Sequence, residues 1–163
     1  MPIQLLTRTI LEETAQRAAA SPRRRSNHNF HSGPADNPHR FFNVLLEGTY
    51  VRPHRHSDPP KSETFLILEG AAAIFFFDDD GNLTQRVDLS ADGETFGIDL
   101  PPNTWHSLAA LTPKVLCFEV KPGPWEPATD KEFATWAPAE GDPAAPSYLE
   151  GLLRFEANAG PTD

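Results

Sequence analysis

Between Phe41 and Lys121 the chain breaks into eight short runs rich in Val, Ile, Phe and Thr: Phe41–Leu46, Thr49–His54, Glu63–Leu68, Ala72–Phe77, Leu83–Leu89, Thr95–Leu100, Thr104–Leu111 and Lys114–Lys121. Each is bounded by Gly, Pro, Asp or Asn, so extended segments alternate with forced turns. That rhythm predicts an all-β sandwich or barrel. Asp80-Gly81, between two apolar runs, marks a hairpin. The longest apolar run, Ala71 to Phe77, is too short to span a membrane and suits a buried strand.

The flanks read differently. Residues Thr7 to Ala20 predict a helix, with Thr7 as its cap and Ser21-Pro22 as its stop. Ile10, Leu11, Thr14, Ala15 and Ala18 form its less polar face. The polar stretch from Arg25 to Asn37 contains "NHNFH", which could be an irregular strand. Beyond Lys121 lie seven of the seventeen prolines, so residues 122–163 predict a wrapping tail. Two capping boxes within it, Thr129-x-x-Glu132 and Ser147-x-x-Glu150, predict two short helices. Tyr148, Leu149, Leu152 and Leu153 would dock the second on the barrel or on a neighbouring subunit. A chain of 163 residues therefore forms a single domain with residues 41–121 as its barrel core.

Fourteen Lys and Arg against 23 Asp and Glu give a formal net charge of −9. Such a balance argues against a nucleic-acid partner, which needs a basic face to displace phosphate counterions. Arg23-Arg24-Arg25 is the only basic cluster and reads as a solvated turn. Cys117 is the only cysteine and sits in an apolar run, where a buried small hydrophobe is expected. With no disulfide pair and no secretory signal, the expected location is the cytoplasm.

The stretch "GTYVRPHRHSDPPKSETFLILEG", Gly48 to Gly70, carries the chemistry. Residues two apart in a strand share a face, so His54 and His56 project together. The Pro-rich turn "SDPPKS" lets the next strand bring Glu63 back beside them. His106, entering a strand after Pro101-Pro102-Asn103, supplies a third imidazole. Three imidazoles and a carboxylate suit Fe, Zn, Mn, Ni or Co and are too nitrogen-rich for Mg or Ca. An open coordination position would remain for water or substrate.

The same parity places Arg52 on the cavity face, with Glu69 as a candidate partner. Lys61, in the loop at the mouth, could meet an anionic substrate. His39, beside Pro38, is expected to be exposed. His28 and His31 lie near a strand end that could bring one of them, His31 in particular, to the substrate. Trp105 is expected to face away from His106 and pack in the core.

These residues resemble the two-part motif of the cupin superfamily. The first block is Gly48-x5-His54-x-His56-x6-Glu63-x6-Gly70, and the second Gly97-x3-Pro101-x-Asn103-x2-His106. The gap between His56 and Glu63 is longer than usual. Asn103 stands where Gly is usual, and Asn tolerates a left-handed turn. More narrowly, "SPRRR", "NHNFH", "GTYVRPHRH", "PPKSETF", "FDDDGN", "PPNTWH" and "FEVKPGPWEPATDKEFATWAP" resemble the WbuC family of cupin-fold metalloproteins, over about the first 140 residues. The resemblance implies a cupin-type double-stranded β-helix, or jelly-roll, barrel holding one divalent transition metal at His54, His56, Glu63 and His106. It also implies a homodimer and, since the family takes its name from an O-antigen gene cluster, a link to polysaccharide metabolism.

Two classes of function follow. One is a metal-dependent isomerase or dioxygenase acting on a small polar substrate such as a sugar or sugar nucleotide, with Arg52, Lys61 or His31 orienting it. The other is a non-catalytic metal- or saccharide-binding module, which a cavity without an acid or base would favour. A metal-free epimerase would need a His–Asp dyad, and the paired histidines with Glu63 fit a ligand cluster better.

Overall fold

A computed structural model describes residues 3–156. Helix α1 (Arg8–Ala20) starts at Thr7, whose Oγ1 accepts the Ile10 N–H, and buries Leu11, Thr14 and Ala18. Ten strands follow: β1 (Arg25–Asn29), β2 (His39–Leu46), β3 (His54–Arg55), β4 (Glu63–Glu69), β5 (Ala71–Phe77), β6 (Leu83–Ser90), β7 (Gly97–Leu100), β8 (His106–Ala110), β9 (Lys114–Lys121) and β10 (Glu132–Phe133). Helix α2 (Ala145–Leu153) closes the described chain. No helix among the described residues is long and apolar enough to cross a membrane.

The strands form two five-stranded antiparallel sheets, ordered β1-β2-β9-β4-β7 and β10-β3-β8-β5-β6. The fold is thus a two-sheet sandwich of jelly-roll type with flanking helices. The expected barrel is not closed: among the described residues no strand pairing joins the two sheets.

Both sheets are covered on both faces, which explains the uninterrupted apolar run in β5. Ala72 and Ile74 point inward to a core with Leu45, Ile67, Leu108 and Val115. Ala73, Phe75 and Phe77 point outward, where Ala145, Leu149 and Leu152 of α2 cover them. Helix α1 does the same for the other sheet, packing on Phe42, Val44 and Leu116. A strand buried on both sides needs apolar residues at every position.

The tail departs from its expected form. Residues around Thr129 make turns leading into β10, which pairs with β3 through Glu132–Arg55 and Phe133–His54, so the first capping box forms no helix. In α2 the N-cap is Ala144, and Ser147 lies inside the helix. Pro146 fixes the start because the first helical turn tolerates its missing N–H. The last residues of the expected tail, 157–163, lie outside the described residues.

Candidate metal centre

Each inward-facing row of side chains changes character at the same level of the sandwich. In β9 it runs Val115, Cys117, Glu119, Lys121; in β4, Ile67, Phe65, Glu63; in β8, Ala110, Leu108, His106; and in β2, Leu45, Asn43, Phe41. One end is therefore a dry core. The other is a polar cavity of about 820 Å³.

His54, His56, Glu63 and His106 meet at the floor of this cavity, all buried, with one ligand atom from each lying within 4.8 Å of the others. His54 pairs across the sheet with His106. The turn into β8 places His106, and Asn103 within it takes the left-handed conformation at φ 63°. The long loop before Glu63 is closed by a Ser57–Pro60 bridge and anchored at Lys61. Its extra residues thus do not keep Glu63, the first residue of β4, from the histidines.

The ring orientations decide what the cluster can bind. His54 Nδ1 lies 3.0 Å from the Arg52 carbonyl, His106 Nδ1 lies 2.9 Å from the Thr104 carbonyl, and His56 Nδ1 contacts the Asp130 carbonyl. A carbonyl only accepts, so each Nδ1 carries the proton and each Nε2 presents a lone pair inward. His56 Nε2 and His106 Nε2 stand 3.0 Å from Glu63 Oε1 and Oε2 respectively. His56 Nε2, His106 Nε2 and Glu63 Oε2 are buried without a hydrogen-bond partner among the described residues. Converging lone pairs at that spacing are mutually repulsive unless a cation sits among them. Neutral imidazoles and a carboxylate form a donor set suited to a divalent transition metal.

The electrostatics agree. Burial drives the His54 imidazole well below its usual range, reinforced by the charge of Lys131, so it stays neutral. Burial pushes the Glu63 carboxyl up, and the charge of Lys121 beside it pulls it down. Lys121 Nζ lies 3.3 Å from Glu63 Oε1 and 3.3 Å from Asp130 Oδ2. Lys61 Nζ reaches Asp130 Oδ1 at 2.8 Å and the Pro124 carbonyl at 2.5 Å.

Other expected positions resolve differently. Arg52 donates from Nε and Nη2 to the Ala134 carbonyl at 3.0 and 2.5 Å, and Glu69 pairs instead with Lys114. Lys61 is buried in its ion pair rather than exposed at the mouth. His39 is buried, contrary to expectation: it stacks on His31 at 4.0 Å with the rings 3° from parallel, and its Nε2 lies 3.1 Å from the Pro34 carbonyl. His31 does line the cavity. His28 packs edge-on against Phe30. Trp105 is core, its Nε1–H donating to Asp79 at 2.9 Å. Cys117 is fully buried, and burial raises its thiol far above the usual range.

Sequence reasoning missed Asn43, Glu119, Lys121, Asp130 and Lys131. Glu119 and Lys121 were within reach, since they share the inward face of Val115 and Cys117. Asp130 and Lys131 lie in the irregular tail, where no periodicity points a side chain.

A family model described as a domain of unknown function (DUF6016) matches residues 6–89, just over half the chain, and so includes His54, His56 and Glu63. No curated protein matches the sequence. The fold is similar to that of the capsular polysaccharide assembling protein CapF from Staphylococcus aureus, at 21% identity and a TM-score of 0.56, covering 66% of this chain and 29% of that one. This chain thus spans less than a third of the CapF chain. It is also similar to the L-ribose isomerase of Cellulomonas parahominis, solved with L-psicose, at 13% identity and a TM-score of 0.56, covering 69% and 70% of the two chains. At these identities the likeness is one of fold.

Proposed function

We propose that this chain, which belongs to the DUF6016 family, is a metal-dependent cupin enzyme acting on a small polar substrate such as a sugar or sugar nucleotide, by isomerase-type or oxygenase-type chemistry. The observation that carries this reading is the convergence of three imidazoles and one carboxylate beside a large cavity, with His56 Nε2, His106 Nε2 and Glu63 Oε2 buried and without a hydrogen-bond partner among the described residues. His54, His56, Glu63 and His106 would hold Fe, Zn, Mn, Ni or Co, which when bound supplies Lewis acidity toward a carbonyl or hydroxyl pair, or oxygen chemistry in the case of iron.

The remaining work falls to the chain's own residues. Asn43 and His31 offer hydrogen bonds to hydroxyl groups along the wall, and Phe41 and Phe133 offer ring faces to a sugar. Glu119 also lines the wall, its Oε2 accepting from Asn43 Nδ2 at 3.1 Å. Burial, with the charge of Glu63, pushes its carboxyl up to about 8. A carboxyl so raised can exchange a proton with a substrate oxygen or carbon, as general acid–base catalysis requires. A cavity furnished with an acid–base group beyond the ligand set favours an enzyme over a passive binding module.

The names of the fold relatives, a capsular polysaccharide assembling protein and a sugar isomerase, support a sugar as substrate. The WbuC-like segments support a link to polysaccharide metabolism. Leu68 and Phe96, exposed near the edge strand β7, support a homodimer. The single buried cysteine suits a cytoplasmic protein.

Elemental analysis of untagged, dialysed protein beside His56→Ala tests the proposal. Near-stoichiometric metal in the parent and none in the variant is expected. Deuterium exchange from D2O into aldoses would then mark an isomerase, and oxygen uptake an oxygenase. Absence of metal from both proteins after reconstitution would overturn the reading.

A further inference from the structure

Basic side chains gather in the cavity. The chain as a whole carries a formal −9, yet Lys61, Lys121 and Lys131 cluster at the inner end of the cavity. Lys61 and Lys121 share Asp130, and Lys121 also holds Glu63. Asp130 is held at both oxygens and Glu63 at Oε1. Glu119, the third nearby, accepts from Asn43 at Oε2 and has Oε1 3.9 Å from Lys121.

Lys131 is left over. Its side chain lines the cavity, and its charge reaches both His54 and Glu119. No ion pair or hydrogen bond engages it among the described residues. The backbone around it is well fixed. The Asp130 carbonyl contacts His56, the Asp130 side chain holds both other lysines, and Glu132–Phe133 pairs with β3. Burial and the charge of Lys121 lower the Lys131 amine, while Glu63, Glu119 and Asp130 act the other way without forming an ion pair with it; a bound anion would add the direct partner that favours its charged form. Arg23 and Arg25 also face the cavity and share the single carboxylate of Glu140.

We infer that the cavity takes an oxyanion-bearing ligand, a polyol carrying a carboxylate or a phosphate, and that Lys131 is the residue that receives the anionic group. This concerns the same cavity as the enzyme reading and specifies its ligand class, but it stands on the charges around Lys131 rather than on the metal. It also moves the anion-binding role from Arg52 and Lys61, both already engaged by protein oxygens, to a residue in the tail.

Calorimetric titration with D-glucuronate, D-glucose 6-phosphate and D-glucose tests it, using the parent, Lys131→Met and Lys131→Arg. Each is run metal-loaded and in the His56→Ala background, so that direct ligation of an anion to metal is separated from binding at Lys131. At least one anionic sugar should bind the parent more tightly than glucose. Lys131→Met should weaken that binding by about tenfold or more, the weight of one charge-assisted hydrogen bond, while leaving glucose unaffected. Lys131→Arg should retain it, which also shows that the loss is not misfolding.

Preference for glucuronate identifies a carboxylate, and preference for glucose 6-phosphate a phosphate. If glucose binds as well as both anions, or if Lys131→Met changes nothing, the inference is overturned and the sugar-enzyme reading survives. Binding of neither anion above glucose overturns it equally. Lys131-dependent anion binding in a protein that takes up no metal would sink the enzyme reading and leave this one standing.

Discussion

Lys121 sets its ammonium 3.3 Å from Glu63 Oε1, so the carboxylate of the candidate metal centre already has a cation beside it. The same ammonium lies 3.3 Å from Asp130 Oδ2 and 3.9 Å from Glu119 Oε1. Burial pulls the Lys121 amine down, but these three carboxyl groups raise it above its usual range and keep it charged. It holds Glu63 in place and competes electrostatically with any metal for it.

Lys121→Met separates those two roles. Removing one partner of a buried ion pair leaves the others uncompensated, at a cost of about 3–5 kcal/mol. The metal-free variant should unfold at lower urea concentration than the parent. Added metal should raise its melting temperature by more than it raises the parent's, because the rival positive charge is gone. An equal or smaller metal-induced gain would show that Lys121 positions Glu63 without competing for it.

Chelation should expose the metal's contribution to stability, since a ligand bound only by the native state stabilises it by mass action. The parent should melt lower after EDTA treatment and recover when a divalent metal is restored. His56→Ala and Glu63→Gln should melt alike with or without chelator. Protons compete for the imidazole nitrogens, so metal affinity measured by competition with a chromophoric chelator should fall as the pH is lowered.

Glu119 predicts a decline in stability between about pH 4.5 and pH 8. Its folded value of about 8 lies above the ordinary 4.5, so between those values the unfolded chain has lost a proton that the native state keeps. The native state binds more protons there, and stability falls as pH rises, by up to about 1.4 kcal/mol per pH unit. Asp130 has the opposite sense. Burial raises its carboxyl, but Lys121 and Lys61 depress it below the ordinary value of 3.8. Its contribution is present above that pH and is lost as pH falls through the depressed value. Urea denaturation from pH 3 to 9 should therefore show both losses in the metal-free parent. Glu119→Gln should flatten the decline between about pH 4.5 and pH 8 and leave the acid limb intact. An unchanged decline in that variant would assign it to another group.

Gly70→Ala probes the end of the first motif block. Gly70 has φ +78°, and an added Cβ would collide with the Lys114 carbonyl and Thr112 Oγ1. Left-handed strain of about 1–3 kcal/mol adds to that clash. The β4–β5 connection and the start of β9 would both have to move, lowering the midpoint of chemical denaturation. Gly33→Ala, with nothing within 4 Å of the added atom and no positive φ, should be close to neutral.

Much of the fold could be read along the chain. The β-runs, the hairpin at Asp80-Gly81 and the helix capped by Thr7 rest on local periodicity and turn chemistry, which act over a few residues. The hairpin closes with the Gly81 N–H donating to the Asp78 carbonyl. The run Thr49–His54 shows the limit of that reading, since only His54–Arg55 is paired as β3. A strand exists only where a neighbour supplies hydrogen bonds, and Phe133 in the distant tail supplies it to His54.

The centre divides in the same way. Sequence alone determined which residues carry the chemistry, because the two-residue repeat fixes His54 and His56 on one face and turn residues bracket Glu63 and His106. Tertiary structure alone decided what surrounds them. The closing of the two sheets brought Glu119 and Lys121 in from β9. The tail then folded back to place the Asp130 carbonyl on His56, its carboxylate between two lysines, and Lys131 in the cavity. Periodicity determines which way a side chain points from its own backbone. Which buried charge meets which depends on contacts across about seventy residues, as between His56 and Asp130, and the desolvation of those charges arises only once the chain has closed around them.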